Sequence, residues 1–275
     1  MECRSSNYTY RLVPRLLVLT ILLGLLSYCL GVPLVSSQGL FLRSAYSPGE
    51  LPFDPKSPRW EKTSPIVVPL SGQVISSPAH PKLSIESLTV RSLHNGKDIV
   101  FLVEWDDPTK NDRLTAGTFR DGVALAFPLN DALPFFCMGQ AGNYVNIWHW
   151  KADWQADIDR HKLDERDDGV PKATHLRTTA SSCVFSGGPV GRRIRHYDDQ
   201  TRTGCGSREC IWDQSHWKVV FKRALQTRDQ DNDAVFDRAL VQAVAFAVWN
   251  GETKERAGKK AVASWLQLVL LDSLP

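Results

Sequence analysis

Short runs of alternating apolar residues, each closed by turn chemistry, restrict the fold of this chain more than any other feature. Residues 98–105 (DIVFLVEW) put Ile99, Phe101, Val103 and Trp105 on one face of an extended strand. The run follows His94-Asn95-Gly96-Lys97, whose Asn-Gly pair favours a tight hairpin turn, and it is broken by Asp106-Asp107-Pro108. Further strand candidates are 84–91, 122–129, 144–150, 217–225, 240–249 and 261–271, with a second Asn-Gly signal at Asn250-Gly251. In 144–150, Tyr144, Asn146, Trp148 and Trp150 alternate against Val145, Ile147 and His149. Helical stripes are few, and 153–166 is the one stretch that suits a helix. The pattern predicts a mainly β chain, an antiparallel β-sandwich with long loops and a few short helices.

The flanks read differently. Pro48, Pro52, Pro55, Pro58, Pro65, Pro69, Pro78 and Pro81 forbid long helices and central strands across 38–82. That segment is expected to run as an extended arm over the core, disorder being the alternative, and 83–275 to form the sandwich domain. Residues 151–210 make a long excursion rich in charge and glycine, a length that is uncommon unless functional or locally structured. At the start, Arg11 and Arg15 precede an apolar run from Leu16 to Leu30, with Val35 and Ser37 at −3 and −1 of a cleavage site after Ser37. Residues 1–37 therefore read as an export signal. A retained anchor is the alternative, because the stretch carried on to Val35 is long enough to span a bilayer. Both imply a periplasmic protein, membrane-associated through its N-terminus or its complex. The net charge of +3 comes with no long basic run, which argues against nucleic acid.

Catalytic signatures are missing: there is no nucleophile elbow, no P-loop, no GxGxxG and no HExxH. The four cysteines beyond the signal are Cys137, Cys183, Cys205 and Cys210, and their pairing is open. No CxxC and no CxxCH occurs, which argues against zinc and against covalent c-type haem. Of the seven histidines, none pairs with another at helical spacing. His149, between Trp148 and Trp150, is either a partly exposed strand residue or a haem ligand. Met138 is the one methionine after the initiator, set in Phe135-Phe136-Cys137-Met138-Gly139. A lone methionine is more often core filler than ligand.

Ordered blocks across 84–271 nevertheless carry a resemblance. Glu104-Trp105-Asp106-Asp107-Pro108-Thr109, Phe119-Arg120-Asp121-Gly122-Val123-Ala124, Phe136-Cys137-Met138-Gly139 and Asn146-Ile147-Trp148-His149-Trp150-Lys151 are four of them. Residues 217–225, Phe246-Ala247-Val248-Trp249-Asn250-Gly251 and Ser264-Trp265 complete the set. Together they are similar to the haem-binding gamma subunits of the ethylbenzene dehydrogenase type. Relatives of that type serve dimethyl sulfide dehydrogenase, selenate and chlorate reductases and nitrite oxidoreductase, and the long insertions are most similar to the last. The resemblance implies one non-covalent haem b in a β-sandwich and no substrate chemistry in this chain. It implies an iron–sulfur beta subunit, a molybdopterin alpha subunit and a cytochrome c-type carrier as partners. It also implies a Met and a Lys as axial ligands, which fall on Met138 and Lys222.

The chemistry agrees with such a pair. A thioether is a soft ligand that favours ferrous iron, and a lysine binds iron only as the neutral amine, which burial favours. On period two, Lys218, Val220 and Lys222 share one face of 217–225. Lys218, Lys151 and His149 therefore stay open beside Lys222 as the second ligand. Two other readings remain: a periplasmic β-sandwich binding module, for carbohydrate for instance, whose nine tryptophans would be exposed stacking platforms, and an enzyme with a site that sequence does not reveal.

Overall fold

The computed structural model describes residues 39–75, 77, 79–130, 133–134, 143–159, 180–185, 195–196, 210–229 and 232–272, with the backbone alone at 157–159, 180–185 and 195–196. Residues 1–37, Met138, Cys137 and Cys205 lie outside the described residues, as do most of 160–209 and the side chain of Cys183.

Chain contacts gather Gly39–Pro275 into one unit, so the Pro-rich segment belongs with the strands that follow it. That segment supplies β1 (Phe41–Tyr46), a 3-10 turn (Pro58–Lys62), β2 (Ile66–Pro69) and β3 (Ser71–Gly72). Pro48 to Pro65 fall between those strands, and β1 contains no proline at all. It can therefore pair on both edges, lying parallel to both of its neighbours. The other strands are β4 (Ser87–His94), β5 (Asp98–Asp106), β6 (Gly122–Pro128), β7 (Val145–Lys151), β8 (Ala180–Phe185), β9 (Arg195–His196), β10 (Cys210–Asp213), β11 (His216–Ala224), β12 (Gln242–Trp249), β13 (Ala261–Val262) and β14 (Leu266–Leu270). Among the described residues one α-helix, α1 (Ala152–Asp159), follows β7 directly.

The strand order is β10-β11-β5-β4-β1-β14-β12-β6-β7-β8-β9, with β2 beside β4 and β13 beside β12. Two layers arise because β12 changes partner along its length. Gln242 to Val244 pair with β14, whereas Ala245 to Trp249 pair with β6. The β4–β5 hairpin turns where the Asn-Gly signal lies, with Gly96 at φ 83°, a left-handed value that glycine adopts without strain. The expected strand 261–271 is instead two. Residues 263–265 carry the chain from β13, paired with β12 near Trp249, to β14, paired with β12 near Gln242.

Facing sides of the layers form one core. Ile99, Phe101, Val103, Trp105, Trp217, Val219 and Phe221 meet Val123, Leu125, Phe127, Trp148, Trp150, Phe246 and Val248. Alternation sends the intervening residues outward, and each layer also buries part of its outer face. On the β4–β5–β11 layer, Leu93, Val100, Leu102 and Val220 pack with Leu51 and Trp60 of the Pro-rich segment. On the β6–β7–β12 layer, Ala124, Ala126, Val145, Ile147, Ala245 and Trp249 form a separate cluster.

One end of the sandwich is tied together by Asp121. Its Oδ1 accepts from the Gly251 N–H at 2.9 Å, and its Oδ2 accepts from the Asn111 N–H at 2.8 Å and from Trp217 Nε1 at 3.1 Å. Gly251 has no room for a side chain: an added Cβ would strike the Phe119 carbonyl oxygen and lie 2.6 Å from Asn111 Cβ. Gly251→Ala is therefore expected to cost about 2–4 kcal/mol through forced backbone movement, read as a fall in the urea midpoint. A variant melting with the wild type would show that this turn is free to relax.

Candidate functional site

The outer face of the β6–β7–β12 layer differs from the other sheet faces in the size of its side chains. Along β12 the outward series is Ala243, Ala245, Ala247 and Trp249, against Val244, Phe246 and Val248 inward. Along β6 it is Ala124 and Ala126 against Val123, Leu125 and Phe127. Register sets these alanines side by side, Ala245 opposite Ala126 and Ala247 opposite Ala124. The result is a patch stripped of side-chain volume and framed by Val145, Ile147, His149, Trp249 and Trp265.

Lys260 closes one end of this patch. Ala261 turns into the core, so alternation sends Lys260 outward. Its side chain is nonetheless only 2% exposed, with Nζ 5.1 Å from the centroid of the Trp249 ring. His149 stacks on the same indole at 4.7 Å and 27°. Burial, then the positive charges of Lys151, Arg120 and Lys260, lower the His149 pKa well below its ordinary value. The imidazole is therefore neutral at physiological pH. Lys151 lies half-buried with Nζ 3.8 Å over the Trp154 ring.

The opposite end leads to the β6–β7 connection. Leu129 N–H donates to the Tyr144 carbonyl at 3.0 Å, which closes the base of that loop. Trp265 Nε1 donates to the Pro134 carbonyl at 2.9 Å, which holds the loop against the alanine-rich face. Met138 follows four residues after Pro134, a reach of at most about 14 Å in extended chain. Its own position lies outside the described residues.

Lys222 faces the other way. It shares the outer side of the β4–β5–β11 layer with Val220, across the core from the alanine patch. Its Nζ lies 4.0 Å from Asp98 Oδ2 and 5.0 Å from the centroid of the Phe53 ring, with 19% of its side chain exposed. Lys218, on the same side, pairs with Glu104 at 2.8 Å. The structure thus brings His149 to the patch, puts Lys218 and Lys222 on the far layer, and presents Lys260, which the strand pattern had not singled out.

The tryptophans do not form stacking platforms. Trp105, Trp148, Trp150 and Trp217 are core residues, Trp60 and Trp249 are buried, and Trp154, Trp212 and Trp265 are half-buried.

Comparisons with known proteins agree on a family. A 29% identical protein of Haloferax mediterranei, named as a respiratory nitrate reductase heme subunit, matches over 217 residues, covering 78% of this chain and 67% of its own. The dimethylsulfide dehydrogenase subunit gamma of Rhodovulum sulfidophilum is 26% identical, over 86% of this chain and 79% of its own. The chlorate reductase subunit gamma of Ideonella dechloratans is 28% identical, over 78% and 75%. Among solved structures, a family 9 carbohydrate binding module from Caldicellulosiruptor kristjanssonii in complex with glucose aligns at a TM-score of 0.38 and 9% identity, over 84% of this chain and 95% of its own. A likeness at that level carries no argument. The ethylbenzene dehydrogenase family model matches residues 57–261, from the 3-10 turn through β13, and this chain belongs to that family.

Proposed function

We propose that this chain is a non-catalytic electron-transfer subunit that binds one haem b and serves a molybdopterin oxidoreductase complex. The observation that carries this reading is Lys260, a fully buried lysine at the edge of an alanine-floored, tryptophan-walled face. The residues present fit a haem. A large apolar ring would lie on the small side chains of the alanines, Trp249, Trp265 and Ile147 would wall it from water, Lys260 offers an amine at the edge of the patch, and Met138, outside the described residues, would supply a thioether. When bound, haem supplies a one-electron couple, tuned by its axial ligands and by the polarity of its surroundings.

The chain's own residues set the conditions for that couple. Lys260 would have to give up its proton to bind iron, because only the neutral amine has a lone pair to offer. Met138 would supply the soft ligand that favours ferrous iron. Lys222, the other candidate for the amine, lies on the far layer with Asp98 beside it and partial solvent access. Neutral His149 would act as an aromatic wall stacked on Trp249.

The names of the relatives, two of them gamma subunits, support a multi-subunit complex with catalytic and iron–sulfur chains as partners; the reading adds a molybdopterin cofactor in the catalytic chain and a cytochrome c-type carrier that takes or gives the electron. Nitrite oxidation is one activity such a complex would have. The reading includes export to the periplasm with processing after Ser37.

Purifying the native protein under gentle conditions tests the proposal. Soret and α bands of haem b, co-purifying iron–sulfur and molybdopterin chains, and a mature N-terminus at Gln38 are expected. A colourless protein that purifies alone would sink the electron-transfer reading, and one that binds a polysaccharide would revive the carbohydrate module.

A further inference from the structure

Arg223 sits inside the sandwich, 1% exposed, where an apolar side chain would be the ordinary choice. Its Nη1 donates to Asn146 Oδ1 at 3.1 Å, Nε donates to the Ala224 carbonyl at 3.2 Å, and Nη2 donates to the Ala234 carbonyl. The guanidinium lies 5.2 Å from the centroid of the Trp148 ring and 5.4 Å from that of Phe236. Asp233 Oδ1 stands 3.8 Å from Nη1. Burial, partly offset by Asp233, lowers the guanidinium pKa to about 10, so the group keeps its charge at neutral pH.

Such a group is costly. Removing a guanidinium from water costs several kcal/mol even with partners, and an apolar residue of similar volume is often no less stable. Its location suggests what the charge does. Asn146, to which it donates, lies on β7 between Val145 and Ile147, and these two belong to the wall of the alanine-floored site. The cation therefore stands directly behind the strand that lines the site, in a medium that water and salt do not screen.

We propose that Arg223 is a fixed positive charge behind the haem site that raises the reduction potential of the bound haem, with Asp233 as its partial counter-charge. The inference rests on the haem reading above. Ferric haem carries one more positive charge than ferrous haem, so a nearby buried cation disfavours the oxidised form.

Optical redox titration of the full-length protein, purified with its haem, tests this. Arg223→Gln keeps a hydrogen-bonding head and loses the charge, and the midpoint potential is expected to fall. Arg223→Lys keeps the charge, and a potential close to the wild type is expected. Asp233→Asn removes the opposing charge, and the potential is expected to rise. A merely structural role gives no reason for opposite shifts in Arg223→Gln and Asp233→Asn. Potentials that all match the wild type, or that shift in one direction together, would overturn the proposal. Should Arg223→Gln fail to fold, the rise in Asp233→Asn and the match in Arg223→Lys still decide it. A wild-type protein without a Soret band would instead refute the haem reading itself, and the inference with it.

Discussion

Lys260→Ala is expected to abolish the low-spin, six-coordinate haem spectrum and to lower haem retention at least about tenfold. Lys222→Ala and Lys218→Ala are expected to leave both intact. The difference follows from where the three amines stand. Lys260 is buried against Trp249 at the rim of the alanine patch, whereas Lys218 and Lys222 stand on the outer side of the opposite layer. An amine can ligate only an iron that it reaches, and of the three only Lys260 stands at the patch. Met138→Ala should open the other axial position, lower the potential as ferrous stabilisation is lost, and allow carbon monoxide to bind. Acidification should mimic loss of Lys260, because the proton and the iron compete for one lone pair. The spectrum of the wild type should therefore turn high-spin as pH falls, while Lys260→Ala shows no such step. Should Lys222→Ala be the variant that loses the low-spin spectrum, the site lies on the other layer.

The sandwich could be read from the sequence because its inner faces are made by strict alternation of large apolar residues, as in Ile99-Phe101-Val103-Trp105. Turn chemistry at Asn95-Gly96 marked the β4–β5 reversal, whereas Asn250-Gly251 opens the longer connection from β12 to β13. The site was harder to see. Lys222 came from the family resemblance, and period two adds only that Lys218 and Lys222 face away from the core. It does not say which of the two outer faces receives a ligand. That choice depends on which segments cover each layer, a long-range matter that local pattern does not encode. One signal was nonetheless in the sequence. Residues 122–128 and 242–249 alternate large with small, with Ala124, Ala126, Ala243, Ala245 and Ala247 at outward positions. An ordinary exposed sheet face carries polar side chains at those positions, so repeated alanine on two paired strands marks a face that something else covers. Lys260, one residue before a strand of two residues, gave no periodicity to read at all.

Asp121→Ala is expected to cost at least about 3 kcal/mol, the largest stability loss foreseen for a single change outside the apolar core. Three N–H donors from separate segments converge on this carboxylate, those of Gly251 and Trp217, both buried, and that of Asn111, part-buried. Each donor left without a partner costs about 1–3 kcal/mol. The same group should shape the pH dependence. Burial first, then the charge of Asp107, raise the Asp121 pKa from 3.8 to about 7, against the pull of its three hydrogen bonds. The folded protein thus holds this proton more tightly than the unfolded chain does. The contribution to stability is full below about pH 4 and is lost as pH rises through about 7. Asp121→Asn carries no titrating charge, so its stability relative to the wild type should increase between pH 4 and 7. His94, whose pKa is lowered chiefly by burial, acts in the opposite sense and favours the fold above its unfolded value of 6.5. Taking the difference between Asp121→Asn and wild type cancels that background. Urea titrations at pH 4, 5.5 and 7 are enough. A difference that stays level across the three would mean that Asp121 is ionised throughout, held so by its three donors rather than neutralised by burial.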